Sequence, residues 1–124
     1  LAVWGADDGV ERKMGVAVVG SAGGSVSFED AQHAARICVV RALAVMRQQL
    51  GTLERIEQFL RLTVFVHCTA EFTRQSEVAD AASDILHALF GTAGGHTRSS
   101  VGVLQLPKGA TVEIDLVAAI KPAH

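Results

Sequence analysis

Ten residues, Phe59 to Cys68, set the strongest constraint on what this chain can fold into. They are rich in β-branched and aromatic side chains, and Leu60, Leu62, Val64 and Val66 recur at every second position, the period of a strand that buries one face. The opposite face would carry Phe59, Arg61, Thr63, Phe65 and His67. Two large aromatics beside an arginine imply that this second face is covered too, by something other than the domain's own helices.

Segments of helical period lie on both sides of that strand. Ser27 is placed to cap a helix running to about Leu50, with Glu29 and Asp30 in its first turn, where unpaired N–H groups favour negative charge. Ala31, Ala34, Ala35, Cys38, Ala42, Val45 and Met46 would pack on a sheet, Arg36, Arg41, Arg47 and Gln48 lie mostly elsewhere, and Gly51 is a natural stop. A second helix, about Ser76 to Phe90, would bury Val78, Ala82, Ile85, Leu86 and Leu89 and stop at Gly91, with Gly91 to Gly95 as a mobile loop.

After that loop the pattern returns to strands. His96 to Val103 and Val112 to Ile120 read as a pair joined by a Pro/Gly turn at Leu106 to Gly109. Two weaker strands are expected at Leu1 to Trp4 and Gly15 to Val19, with Asp7-Asp8-Gly9 and Ser21 to Gly24 as flexible connections. The order of elements implies an α+β protein, a two-layer α/β sandwich with both helices on one side of a single sheet. In the last strand Val112, Ile114, Leu116, Ala118 and Ile120 share one face, but Val117 and Ala119 on the other are also apolar. A second apolar sheet face on so small a domain is expected to be an oligomer interface.

Composition narrows the class of function. At 124 residues, the chain is read as one domain over 1–124. A net charge of −2 with mixed signs provides no broad cationic surface, so nucleic acid is not expected as a partner. No apolar run approaches the roughly 20 residues of a membrane helix, and Leu1-Ala2-Val3-Trp4 lacks the basic flank and cleavage pattern of a secretory signal. Cys38 and Cys68 form neither a CxxC pair nor a disulfide framework, which points to a reduced, cytoplasmic protein. The five histidines have no HxxxH or HxH spacing, so no metal site is expected.

The candidate chemistry sits in the final strands. Arg98, Ser100 and Gly102 share one side of theirs, and Glu113 and Asp115 one side of the next. An arginine offers a fixed fork for a carboxylate and a glutamate can move a proton, which suggests a small anionic substrate. Taken alone, an arginine and a glutamate on neighbouring strands are more often a paired or solvated surface set. A hairpin with Gln105 opposite Ala110 would place Arg98 opposite Val117 and Glu113 opposite Gly102, about 13 Å apart along the strands. Either the register differs, or the arginine of one chain meets the glutamate of another. Among the other polar residues, His96 is expected to be exposed on its loop, His67 to pack at a strand end, His33 and His87 to face solvent or an interface, and Cys68 to be a buried, inert thiol.

Arg98-Ser99, a short β-stretch, Leu106-Pro107, the Lys108-Gly109 turn and Val112-Glu113-Ile114-Asp115, in that order, resemble the C-terminal signature of the YjgF-like Rid proteins, the reactive intermediate/imine deaminases. Leu60 to Val66 resembles the family's central strand, Glu71-Phe72 its acidic-Phe pair, and Phe28 to Gln32 the start of its first helix. The likeness spans roughly Ser27 to Lys121, and Gly95-His96-Thr97-Arg98-Ser99 is most similar to the longer subgroup.

The resemblance implies a chorismate-mutase-like fold, a homotrimer with sheets facing a central axis, and sites in clefts between subunits. It further implies hydrolysis of enamines or imines derived from amino acids, with no cofactor. Arg98 would then bind the carboxylate of a small-molecule substrate, Glu113 would activate the attacking water, and Ser100 would stand where many relatives have a cysteine and donate a hydrogen bond. Three features depart from the family: the chain has no tyrosine, Trp4-Gly5-Ala6 is the nearest counterpart of the usual Ser-Gly-Gln-like segment, and Gly94-Gly95-His96 replaces Pro-Ala ahead of the arginine. These departures leave room for a carboxylate-binding module that has lost its chemistry. Endoribonuclease activity, attached to some relatives, fits poorly with the absent basic surface.

Overall fold

The computed structural model describes residues 2–4 and 17–122. Helix α1 spans Phe28–Leu50 and starts where its cap is: the Ser27 hydroxyl accepts from the Asp30 N–H at 3.1 Å. It ends at Gly51, whose φ of 87° is cheap only for glycine and whose N–H reaches the Arg47 carbonyl at 2.8 Å. The expected alanine-rich face is buried, and Arg41, grouped with residues expected to lie mostly off that face, is buried too. Helix α2 spans Gln75–Phe90 and buries Val78, Ala82 and Leu86; Leu89, expected to be buried, is exposed.

Both helices cover one side of a mixed four-stranded sheet. Its strands are β1 (Ala2–Trp4), β2 (Ile56–His67), β3 (Thr97–Val103) and β4 (Val112–Ile120), arranged β1-β4-β2-β3. β2 lies between β3, with which it is parallel, and β4, with which it is antiparallel. The expected β3–β4 hairpin is therefore absent. Helix α2 carries the chain across between β2 and β3, the long connection that parallel pairing needs, and leaves β3 at the edge. Pro107–Gly109 forms a 3-10 turn that pairs outward instead: Gly20 N–H donates to the Gly109 carbonyl at 2.9 Å and Thr111 N–H to Val18 at 3.1 Å.

A bulge corrects the expected alternation of β2. Between Phe59 and Leu62 the strand advances three residues while β4 advances two, from Ala118 to Leu116. The extra residue turns Phe59 into the core, 1% exposed and edge-on to Phe90 at 4.8 Å, and leaves Leu60 46% exposed. Leu62, Val64 and Val66 then alternate as expected and join Val112, Ile114 and Leu116 under the helices.

The segments expected to be flexible are tied down where they are described. Ala22 is fully buried and bonds through its backbone to His67 and Thr69. Gly91–Gly94 is a 3-10 turn, and the Gln58 side-chain amide lies within hydrogen-bonding distance of the Thr92, Ala93 and Gly95 carbonyls. Val19 makes one isolated bridge with Ala110 rather than a strand, and Gly15, together with Asp7-Asp8-Gly9, lies outside the described residues. Among the described residues no helix is long and apolar enough to cross a membrane.

Candidate functional site

Arg98 stands on edge strand β3 in register with Leu62, so its side chain leaves the sheet on the helix side. There it meets a polar stripe on α2 formed by Ser76, Asp80, Ser83 and His87, spaced four, three and four residues apart on one helical face. Arg98 Nη1 donates to Asp80 Oδ1 at 2.8 Å and to Ser83 Oγ at 3.2 Å, and Nη2 donates to Ser76 Oγ at 3.1 Å. The ion pair joins an arginine side chain that is 24% exposed to a carboxylate that is 55% exposed. Sequence reasoning missed this cradle, although the spacing of Ser76, Asp80 and Ser83 was its signal.

His96 continues the seam two residues before Arg98, just ahead of β3. Its Nδ1 lies 2.6 Å from the Gly94 carbonyl, which can only accept, so Nδ1 carries the hydrogen. In the neutral ring Nε2 then accepts from the Ser83 hydroxyl at 2.9 Å, leaving that oxygen free to accept from Arg98. The ring also stacks on His87 at 5.4 Å. The expected water-exposed loop histidine is thus a packed, bonded one. Ser100, next along this face, is half-buried, and no hydrogen bond reaches its hydroxyl from the other described residues.

Beyond Ser100 the strand face opens into a groove of about 400 Å³ lined by Cys68, Phe72, Gln75, Gly102 and Leu104. Gln75 Nε2 donates to the Phe72 carbonyl at 2.8 Å and touches Cys68 Sγ at 3.5 Å. A Cβ on Gly102 would lie 2.8 Å from that sulfur, so the groove wall is shaped around a glycine. Cys68 is only partly buried, short of the fully buried thiol expected. His67 does pack at the end of β2, with its Nδ1 buried and without a hydrogen-bond partner among the described residues.

Glu113 is on the other side of the sheet. Its register partner is Phe65, one step from the buried Val64, so it shares the helix-distal face with Thr63, Asp115 and Val117. Burial pushes the Glu113 carboxyl above its ordinary value of 4.5, and the Asp115 carboxylate adds to the rise. The structure brings Arg98 and Ser100 together and separates both from Glu113. In place of the expected hairpin register, Arg98 is level with Leu116 across β2, and Glu113 with Val101.

Two helices on one face of a mixed sheet, with an arginine cradled at its parallel edge, define an α+β sandwich of the chorismate-mutase-like kind. The family model for endoribonuclease L-PSP matches residues 9–120, and the chain belongs to this family, the YjgF-like group that its motifs resemble. It is 40% identical over 111 residues to Protein TCP17 of Trypanosoma cruzi, covering 89% of this chain and 69% of that protein. The crystal structure of Atu1372 from Agrobacterium tumefaciens, a protein of unknown function, superposes with a TM-score of 0.84 at 37% identity, covering 86% of this chain and 69% of the other. A putative endoribonuclease from Shewanella oneidensis superposes with a TM-score of 0.82 at 27% identity, covering 85% and 70%.

Proposed function

We propose that the protein is a hydrolytic deaminase of enamines and imines derived from amino acids, acting in the cytoplasm as a homotrimer of the longer subgroup. Arg98 takes the substrate carboxylate, Ser100 donates a hydrogen bond, and Glu113 of a neighbouring subunit orients and deprotonates the water. The observation that carries this reading is the state of Arg98. Three side chains of α2 hold its guanidinium, yet two of its five N–H donors, Nε–H and one on Nη2, have no partner among the described residues. A fixed arginine with donors to spare is what carboxylate binding requires.

Support for Glu113 comes from its raised pKa, which suits a group that must gain and lose a proton. Because it lies on the opposite sheet face from Arg98, a shared site needs a second subunit. The helix-distal face, with Val101, Phe65 and Val117 partly or largely exposed, is a surface such a subunit would cover. The spacing of Cys38 and Cys68, neither a CxxC pair nor a disulfide framework, is consistent with a reducing compartment.

The test is ammonia release from freshly generated 2-aminoacrylate and a panel of larger imines, comparing wild type with Arg98→Ala. Acceleration lost in the variant supports the reading, and full activity in the variant ends it.

A second reading, a small-carboxylate-binding module without chemistry, draws on the surroundings of Arg98 within one subunit. The carboxylate beside it, Asp80, already pairs with the guanidinium through Oδ1, and the chain has no tyrosine. This reading predicts saturable carboxylate binding with no ammonia released. RNA cleavage, suggested by the family's name, is opposed by a net charge of −2 and would be restored by nuclease activity that disappears in Arg98→Ala.

A further inference from the structure

We infer that Arg98 and Asp80 act together as a receptor for a zwitterion, a carboxylate with a cationic nitrogen on the adjoining carbon, so that Asp80 is the specificity-determining residue of the site. The inference rests on the reading that Arg98 takes the substrate carboxylate. Nη1 of Arg98 spends both hydrogens on Asp80 Oδ1 and Ser83 Oγ, and Nη2 spends one on Ser76. Asp80 is bound through Oδ1 alone. Its Oδ2 has no hydrogen-bond partner among the described residues, and the side chain is half exposed.

The pair, joined at 2.8 Å through Nη1 and Oδ1, therefore keeps unused donors on its arginine and an unused anionic acceptor on its carboxylate. A simple carboxylate satisfies the donors but brings a second negative charge against Asp80. An α-amino acid or a protonated α-imino acid satisfies both, since its carboxylate and its cationic nitrogen are held on neighbouring atoms. The discrimination follows the course of the proposed reaction. Water adds to the C=N carbon of the iminium, and the C–N bond breaks to leave a keto acid and ammonium. The keto acid no longer carries the cation that Asp80 recognises, so product is held less tightly than substrate.

L-alanine and pyruvate share a carbon skeleton and differ in this group, which makes them the probes. Each is titrated into wild-type protein, Asp80→Asn, Asp80→Glu and Arg98→Ala, following chemical shifts of the labelled protein, with thermal melts to verify folding. Wild type is expected to prefer alanine. In Asp80→Asn that preference should fall by about fivefold or more, with pyruvate binding unchanged or tighter, and Asp80→Glu should restore it.

An unchanged alanine-to-pyruvate ratio in Asp80→Asn, or no preference in wild type, overturns the inference. If Arg98→Ala still abolishes binding of both ligands in that case, the carboxylate-clamp reading survives. Pyruvate binding unaffected by Arg98→Ala, or no saturable binding of either ligand to wild type, overturns both.

Discussion

Arg98 and Glu113 lie on opposite faces of one sheet: the first reaches Asp80 on α2, and the second stands beside Phe65 on the helix-distal side. Across β2 they are also three residues out of level, about 10 Å along the strands. No side-chain rotation closes that gap, because a strand between them and the plane of the sheet intervene. Any reaction that uses both residues joins two subunits.

Glu113 gives the first prediction, on stability against pH. Its folded pKa is raised, so the folded state binds this proton more tightly than the unfolded chain does. The burial penalty is absent below the ordinary value of 4.5 and grows as pH rises through the higher folded value. Glu113→Gln should flatten this part of the profile and melt at or above wild type at neutral pH. Melting temperatures of the two proteins across this range are the check, and parallel profiles would contradict the assignment.

The bulge in β2 gives the second. Phe59→Ala removes a fully buried ring that packs on Phe90 and should cost about 3–5 kcal/mol, whereas Leu60→Ala, on the exposed side of the bulge, should change stability by about 0.5 kcal/mol or less. Urea unfolding distinguishes this from regular alternation, which would reverse the two values.

Much of the fold was legible because local signals and burial agree there. Ser27 caps α1, Gly51 and Gly91 end the helices, and Leu62, Val64 and Val66 alternate as core strand residues should. The hairpin was misread because β3 and β4 are adjacent in sequence and joined by a Pro/Gly turn. Their separation depends on β2, which pairs with β4 along one side and, from Arg61 to His67, with β3 along the other, and strand order is a tertiary property that no local motif encodes. Phe59 was misplaced for a related reason, since one extra residue in a strand reverses every face before it. Arg98 was legible by family motif, but its partners Ser76, Asp80 and Ser83 belong to another element and become visible only once α2 lies along β3.

The cap at Ser27 supplies a third prediction. Its hydroxyl satisfies the Asp30 N–H, so Ser27→Ala should cost about 1 kcal/mol in chemical denaturation while Ser27→Asp should cost little. Equal loss in both variants would mean that the cap is not what the hydroxyl contributes.

Shared-site geometry is tested most directly by complementation. Arg98→Ala and Glu113→Gln are each expected to lose imine hydrolysis when assayed alone. Co-expressed in equal amounts, they assemble into mixed oligomers in which a site that draws its arginine from one subunit and its glutamate from the next is intact in about one case in four. The account predicts recovery of about a quarter of wild-type ammonia release. Mixed oligomers that form but recover no activity above the separate variants would contradict it.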